Sequence, residues 1–375
     1  MSDKKSHKSN INIPHDILLC ILLRLPVKSL LRFRCVSTWF NDIISSKEFK
    51  KAQSDQSKAL GRVNFLAQKC YSEANQQAMF VFPLKGFECP HVLCSHDGLV
   101  LLKNRMDDKK FFLWNPSTRQ CLELASCPYL NINTLPRGCG LCYDPTTYDY
   151  KVILMYNSFY LVYSMRNFWR KKTPPPMIDQ HVSSSLERPT NSCPAYICEG
   201  ISTEGCVYWS IDQRLFKHHV RRDSTIIYFD MKSDEFKELP KPNFIGDDEL
   251  FRLTALKGRL CLYNIWSNKE SEVNMWIMDE DGWKLSMKLP KISEFCTYGS
   301  ILCCMENGEI IFQGPENCYI SIYKPTQQKF VIKDFISNYY IGYGYANPYP
   351  ICLDSLHFPK IIHKRNQPNS VPLLW

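Results

Sequence analysis

Cys89, His91, Cys94 and His96 are the residues in this chain whose types most readily suggest chemistry, because thiolate and imidazole are the ordinary ligands of tetrahedral zinc. They precede the turn pair Asp97-Gly98 in a stretch that reads as extended chain. Alternation along a strand sends Cys89 and His91 to one face and Cys94 and His96 to the other, so the four diverge and no metal site is expected. Cys139-Gly140-Leu141-Cys142 is a single C-x-x-C pair with no second pair and no βαβ setting, which leaves it without a zinc or redox assignment. His218 and His219 stand in a polar stretch and read as solvated. There is neither a G-x-S-x-G nucleophile elbow nor a phosphate-binding glycine loop. Asn115, Asp144, Asp230 and Asp279 recur at similar places along the chain and are read as turn residues whose side chains accept neighbouring amide hydrogens. No catalytic residue, metal or cofactor is nominated.

The elements that carry these residues fall into two regions of different pattern. From Pro14 to Leu25 the sequence PHDILLCILLRL has a proline suited to a helix start, an acid in the first turn and no glycine. Ile17, Leu18, Ile21, Leu22 and Leu25 form one face, while Leu19, Cys20 and Leu23 make the other side apolar too, so the helix has to be covered nearly all round. Pro26 ends it. Ser29 is expected to cap a second helix with Leu30, Leu31, Phe33 and Val36, and Ser37 a third with Trp39, Phe40, Ile43 and Ile44. A three-helix module this small buries about 60% of its unfolded surface or less. Its excess apolar side chains must be covered either by the rest of this chain or by an external partner.

Ile13-Pro14-His15-Asp16-Ile17, Ile21-Leu22 and the run Leu25-Pro26-Val27-Lys28-Ser29-Leu30-Leu31-Arg32-Phe33-Arg34-Cys35-Val36-Ser37 closely resemble a plant F-box. The resemblance implies binding to a Skp-type adaptor, and through it to cullin and RING subunits. Pro14, Ile17, Ile21, Leu22, Leu25, Pro26, Leu30 and Val36 are the implied contact or supporting positions. The chain departs from the family at Thr38 and Phe40, where a basic residue and a tryptophan are common; its tryptophan is Trp39. Each buried aliphatic side chain contributes about 1.5 to 3 kcal/mol, so a surface built on five or six of them is expected to keep its adaptor.

Beyond the polar stretch KKAQSDQSKAL the pattern changes to short β-rich runs between turn residues, which places a domain boundary near residue 52. A turn glycine followed by an apolar strand recurs at Gly98, Gly205, Gly258 and Gly308. A hairpin follows each, and the aligned positions Trp114, Val162, Tyr228, Ile277 and Ile322 are spaced by 48, 66, 49 and 45 residues. The long interval marks an insertion that includes residues 171–190. A period of 45 to 50 residues with about four strands per unit is that of a β-propeller blade, and the remaining length allows about six. Ring closure is expected to use an early strand, within 61–68 or 77–84, paired with the last blade.

The segments WNPSTR at 114–119 and GLCYDPTTYDYKV at 140–152 are similar to the F-box-associated, kelch-like domain of plant F-box proteins, a group that includes the S-locus F-box proteins. The expected fold is therefore α+β and multi-domain. It comprises a disordered start (1–10), an F-box (11–52), a linker with first strands (53–85), an all-β propeller of about six blades (86–365) and a tail (366–375). The resemblance implies a non-catalytic substrate-recognition subunit of an SCF-type ubiquitin ligase whose propeller binds a target protein. It suggests self-incompatibility, defence or development as the setting and names no target.

Trp114, Trp209, Trp276 and Trp283 are read as core. The stretch NYYIGYGYANPYP, with Tyr339, Tyr340, Tyr343, Tyr345 and Tyr349, is read either as a recognition surface or as a closing segment of the last blade. Two rivals are a propeller enzyme, which needs a metal or cofactor site, and a scaffold or regulatory protein with a weakened F-box.

Composition sets the remaining bounds. The 45% apolar content is ordinary for a globular chain, and the net charge of +9 is spread out, with short clusters at Arg170-Lys171-Lys172 and His363-Lys364-Arg365, so no nucleic-acid stripe is expected. The start lacks the apolar core of a secretory signal, and no segment is long and apolar enough for a membrane span. The 18 cysteines are scattered, often inside apolar runs, and are read as reduced. Cytoplasm, nucleus or both are the expected locations.

Overall fold

A computed structural model describes residues 13–60, 62–65, 90–104, 107–130, 135–144, 147, 149–156, 158–166, 168–173, 198–203, 205–212, 224–246, 250–256, 258–266, 272–290, 300–305, 308–313, 320–333 and 351–359. Four helices come first: α1 (His15–Leu23), α2 (Val27–Phe33), α3 (Thr38–Ser45) and α4 (Lys47–Ala59). Pro14 and Pro26 stand just outside α1 and α2 at extended ψ, where a ring that fixes φ and lacks an N–H costs nothing. Ser29 lies inside α2 and does not cap it. Ser37 does cap α3, its hydroxyl accepting the Phe40 amide hydrogen at 3.3 Å.

Three helices are expected from the sequence; the structure adds α4. Its signals were Ser46, which accepts the Phe49 amide hydrogen at 3.2 Å, and Glu48 in the first turn. Its polar composition disguised it, because the side that packs inward carries Gln53, Ser54 and Ser57, all buried.

Five four-stranded antiparallel units follow among the described residues, against the expected six or so. The first is β2 (His91–His96), β3 (Leu99–Lys103), β4 (Phe111–Asn115) and β5 (Gln120–Glu123), preceded by the short β1 (Val63–Phe65). The second is β6 (Gly138–Asp144), β7 (Asp149–Met155), β8 (Tyr160–Ser164) and β9 (Phe168–Lys172). After β10 (Cys198–Glu199), the third is β11 (Ile201–Thr203), β12 (Cys206–Asp212), β13 (Ser224–Asp230) and β14 (Glu235–Leu239). The fourth is β15 (Leu250–Leu256), β16 (Arg259–Trp266), β17 (Glu272–Asp279) and β18 (Gly282–Pro290); the fifth is β19 (Ser300–Cys304), β20 (Ile310–Gln313), β21 (Ile320–Lys324) and β22 (Lys329–Lys333). Last comes β23 (Ile351–Leu353).

The first strands β2, β6, β11, β15 and β19 neighbour one another in succession, as the inner strands of propeller blades do. Each aligned position from the sequence, Trp114 through Ile322, falls in the third strand of its blade. The turn glycines Gly98, Gly205, Gly258 and Gly308 close the first hairpin of blades 1, 3, 4 and 5, all at positive φ, where a side chain would be strained. Blade 2 closes the same hairpin between Asp144 and Asp149 without glycine, which explains why Gly98 and Gly205 are 107 residues apart, about two blade periods.

Core clusters sit between blades. One runs from Leu93, Leu101, Phe111 and Leu113 of blade 1 to Cys139, Leu141, Val152 and Leu161 of blade 2, and another joins blade 2 to Trp209, Ile227 and Phe229 of blade 3. Burial of both faces keeps middle strands such as β3, β4 and β8 almost wholly apolar, whereas the outer strands β5, β9 and β14 carry charge and meet solvent. Trp114 and Trp209 are buried and Trp276 and Trp283 half-buried, in line with a core role.

Residues 61–68 overlap β1, which pairs antiparallel with β23 through Val63↔Leu353 and Phe65↔Ile351. That pair is a two-stranded sheet of its own rather than part of a described blade. The second closure candidate, 77–84, and the insertion at 174–190 lie outside the described residues.

Candidate functional site

The helical module hides part of its apolar surface and leaves part in solvent. Leu22, Val27, Leu30, Ile44 and Phe49 are buried together, with Leu356 from the far end of the chain among them. Ile13, Ile17, Ile21, Val36 and Trp39 are between 41% and 67% exposed. Ile17 and Ile21 are one turn apart on α1, and the Trp39 ring meets that of His15 at 5.4 Å, which ties the start of α1 to α3. Behind it, Trp39, Phe40 and Phe33 form a chain of ring contacts at 5.0 and 5.3 Å. Large apolar side chains left in solvent on one small module are a common feature of protein-binding surfaces.

Of the positions expected to bind the adaptor, Pro14, Ile17, Ile21, Pro26 and Val36 are exposed and Leu25 is half-buried. Leu22 and Leu30 are in the core, where they support the surface from beneath. Ile13 and Trp39 are exposed apolar side chains of the same module that the expected set does not include. Trp39 was legible only as an apolar helix residue, and it is exposed because Phe40, not Trp39, turns inward against Phe33.

The propeller offers a second apolar area on blade 4. Trp276 pairs with Leu285 and Met278 with Trp283 across β17 and β18, and Phe244 stacks on Trp276 at 4.8 Å. Phe244 and Leu285 are about half exposed, while the rest pack onto the cluster that joins blades 3 and 4. The tyrosines 339–349 lie outside the described residues.

Side chains that looked chemical have structural employment. Asn115, Asp144, Asp230 and Asp279 each accept a backbone amide hydrogen two or three residues on, from Thr118, Thr147, Lys232 and Asp281 at 3.0, 3.4, 2.9 and 3.0 Å. Asp144 does so in the first hairpin of its blade and the others at the end of a third strand. A register shift between Val92 and Cys94 breaks the alternation assumed for β2. Among the described residues no three His, Cys, Asp or Glu side chains are grouped to hold a metal; Cys89, His218 and His219 lie outside them.

Burial pushes the thiols of Cys142, Cys121 and Cys261 up to about 12, so they stay protonated and weakly nucleophilic. Arg170 and Lys172 both bind Asp234, through its carboxylate at 2.5 Å and its carbonyl at 2.8 Å, and Lys171 lies over the Phe159 ring at 4.3 Å. That basic cluster is spent on inter-blade and ring contacts. His363, Lys364 and Arg365 lie outside the described residues.

Between the helices and blade 1 lies a polar joint. Lys58 of α4 pairs with Asp97 at 2.8 Å, and His96 Nε2 stands 3.3 Å from the same carboxylate. Burial alone would raise Asp97, but His96 and Lys58 outweigh it and hold the carboxyl at about 2. Burial also pushes His96 and His357 below their usual range, and His357 packs on Tyr143 and Tyr150.

The F-box domain family matches residues 11–52 and the F-box associated beta propeller domain family matches residues 49–335. The chain belongs to the F-box-associated propeller family. An F-box/kelch-repeat protein of Arabidopsis thaliana is 28% identical over 321 residues, which covers 76% of this chain and 81% of that protein. An F-box protein of the same plant is 24% identical over 314 residues, covering 73% and 67%. An F-box/LRR-repeat/kelch-repeat protein is 23% identical over 305 residues, covering 70% and 73%. The four helices are thus an F-box, and the blades after them are its associated propeller.

Proposed function

We propose that this F-box protein is the substrate receptor of an SCF-type ubiquitin ligase. The F-box binds a Skp-type adaptor, which connects to cullin and RING subunits, while the propeller binds a target protein. The observation that carries this is the exposed set Ile13, Ile17, Ile21, Val36 and Trp39 on helices whose own core is already filled. Such a surface gains several kcal/mol when a partner covers it, at about 25 cal/mol per Å² of apolar area.

The chain itself performs no bond chemistry in this scheme and accelerates ubiquitin transfer by holding the target close. Adaptor and ligase meet it in the cytoplasm, the nucleus or both.

The test is reconstitution. Purified chain should co-elute with a Skp-type adaptor and cullin, and the pair Ile17→Asp and Ile21→Asp should abolish co-elution while leaving the thermal unfolding midpoint within a few degrees. An intact double variant that still co-elutes would show that this face is not the adaptor surface. Wild-type protein that fails to bind would favour the scaffold reading, in which Thr38 and Phe40 mark a lost interface.

A further inference from the structure

The F-box of this chain is completed by residues from the other end of the molecule. Leu356 is 3% exposed and packs among Leu22, Val27, Leu30, Ile44 and Phe49. The residues around it are bonded to helices on one side and to blade 1 on the other. The Val27 amide at the start of α2 donates to Asp354 Oδ2 at 3.1 Å. Gln53 of α4 donates through Nε2 to the Asp354 carbonyl and accepts through Oε1 from the Leu356 amide, both at 3.1 Å. Opposite, Asn115 Nδ2 donates to the carbonyls of Ser355 and His357 at 2.9 and 2.7 Å. A Cβ at Gly98 would stand 2.5 Å from that of Ser355, so the Asp97-Gly98 turn of blade 1 lies directly against this strap.

We infer that residues 354–357 make adaptor binding conditional on a finished propeller: the F-box reaches its binding-competent packing only when this strap docks. This rests on the adaptor reading given above. A helical module of this size buries too little apolar surface to be firm alone. Its fourth helix makes matters worse, because the buried Gln53 finds much of its hydrogen bonding in strap backbone. Without the strap Gln53 loses its two bonds to strap backbone, keeping the one to Ser57 Oγ, and the core loses a leucine, both costly in a small domain. The strap also follows all five described blades in the sequence, so it is synthesised after them, and Asn115 of blade 1 grips it from the propeller side. A chain whose propeller is incomplete therefore presents Ile17 and Ile21 on loosened helices.

The full-length chain tests this with two readouts, affinity for a purified Skp-type adaptor and amide hydrogen exchange resolved by helix and blade. The double variant Asp354→Ala and Leu356→Ala touches none of the exposed apolar positions. It should bind the adaptor at least ten-fold more weakly and exchange at least ten-fold faster in α2 and α4, with blades 3 and 4 unchanged. Asn115→Ala, acting only from the propeller side, should move both readouts the same way by a smaller factor. If the double variant precipitates, Asp354→Asn and Asn115→Ala are read instead. Wild-type affinity together with wild-type helix protection in these variants overturns the inference. Loosened helices with unchanged affinity would remove its adaptor clause, and a wild-type chain that binds no adaptor would overturn the adaptor reading itself.

Discussion

The indole of Trp209 occupies the space that a side chain at Gly140 would need: a Cβ there would stand 2.9 Å from Cζ2 of the ring and 2.6 Å from the Val207 side chain. Gly200 repeats the relation from the next blade, at 2.7 Å from the same indole. Trp209 is buried, and its Nε1 donates to the Cys139 carbonyl at 3.1 Å. The C-x-x-C segment is thus a floor for a tryptophan. Overpacking a filled core costs about 1 to 3 kcal/mol, so Gly140→Val should lower the unfolding free energy by about that much in urea titration, and Trp209→Phe should partly restore it.

Asp234 joins blade 3 to blade 2, taking Lys151 at 2.9 Å and Arg170 at 2.5 Å, while Lys151 also reaches Asp144 at 3.0 Å. Removing one member strands charge in a partly buried place. Asp234→Ala should cost about 2 kcal/mol, and because the Lys151 and Asp234 side chains are mostly shielded from solvent, the loss should change little between low and high salt. A loss that vanishes at high salt would show instead that the network is a surface one.

Leu30→Ala and Ile21→Ala separate support from contact. Leu30 is fully buried, and its truncation should cost about 2 to 5 kcal/mol of stability. Ile21 is about half exposed, and its truncation should leave stability within about 0.5 kcal/mol while weakening adaptor binding. Thermal unfolding and titration calorimetry with the adaptor read the two effects independently.

The joint at His96 and His357 should make the fold acid-sensitive. Both imidazoles are held below the usual 6.5, so between their folded values and that value the unfolded chain binds more protons than the folded one. Their contribution is fully present above about pH 6.5 and is lost as pH falls through the folded values. Asp97, held at about 2, adds a contribution present above 3.8 and lost as pH falls toward 2. Urea midpoints should be flat from pH 7 to 8 and decline below about 6.5, and His96→Asn with His357→Gln should remove the first decline.

Sequence pattern revealed most of the propeller, because the blades impose a period near 50 residues locally and four of the five described ones a positive-φ turn glycine. Trp114, Val162, Tyr228, Ile277 and Ile322 could be aligned since a third strand is apolar on both faces wherever it occurs. What escaped were relations between distant residues. The face of α4 looked like a linker because Gln53 and Ser57 read as solvent-facing until the strap that satisfies Gln53 is known. Leu22 and Leu30 looked equivalent to Ile17 and Ile21 because helical spacing gives a face but not what covers it. The half-exposed Phe244 was hidden for the same reason, since its stacking on Trp276 depends on how a loop returns over β17.

The segment from β10 into β11 runs along the inner strand of blade 2, where Cys198 and Glu199 pair with Gly138 and Cys139, and then enters blade 3 at Ile201. One continuous run of backbone therefore holds hydrogen bonds in two blades, stitched at Gly200. Mechanical load on either blade passes to the other through main chain as well as through side-chain packing. Blades 2 and 3 should consequently open as one step when the molecule is pulled apart, and their stabilities should not be separable into two independent repeats.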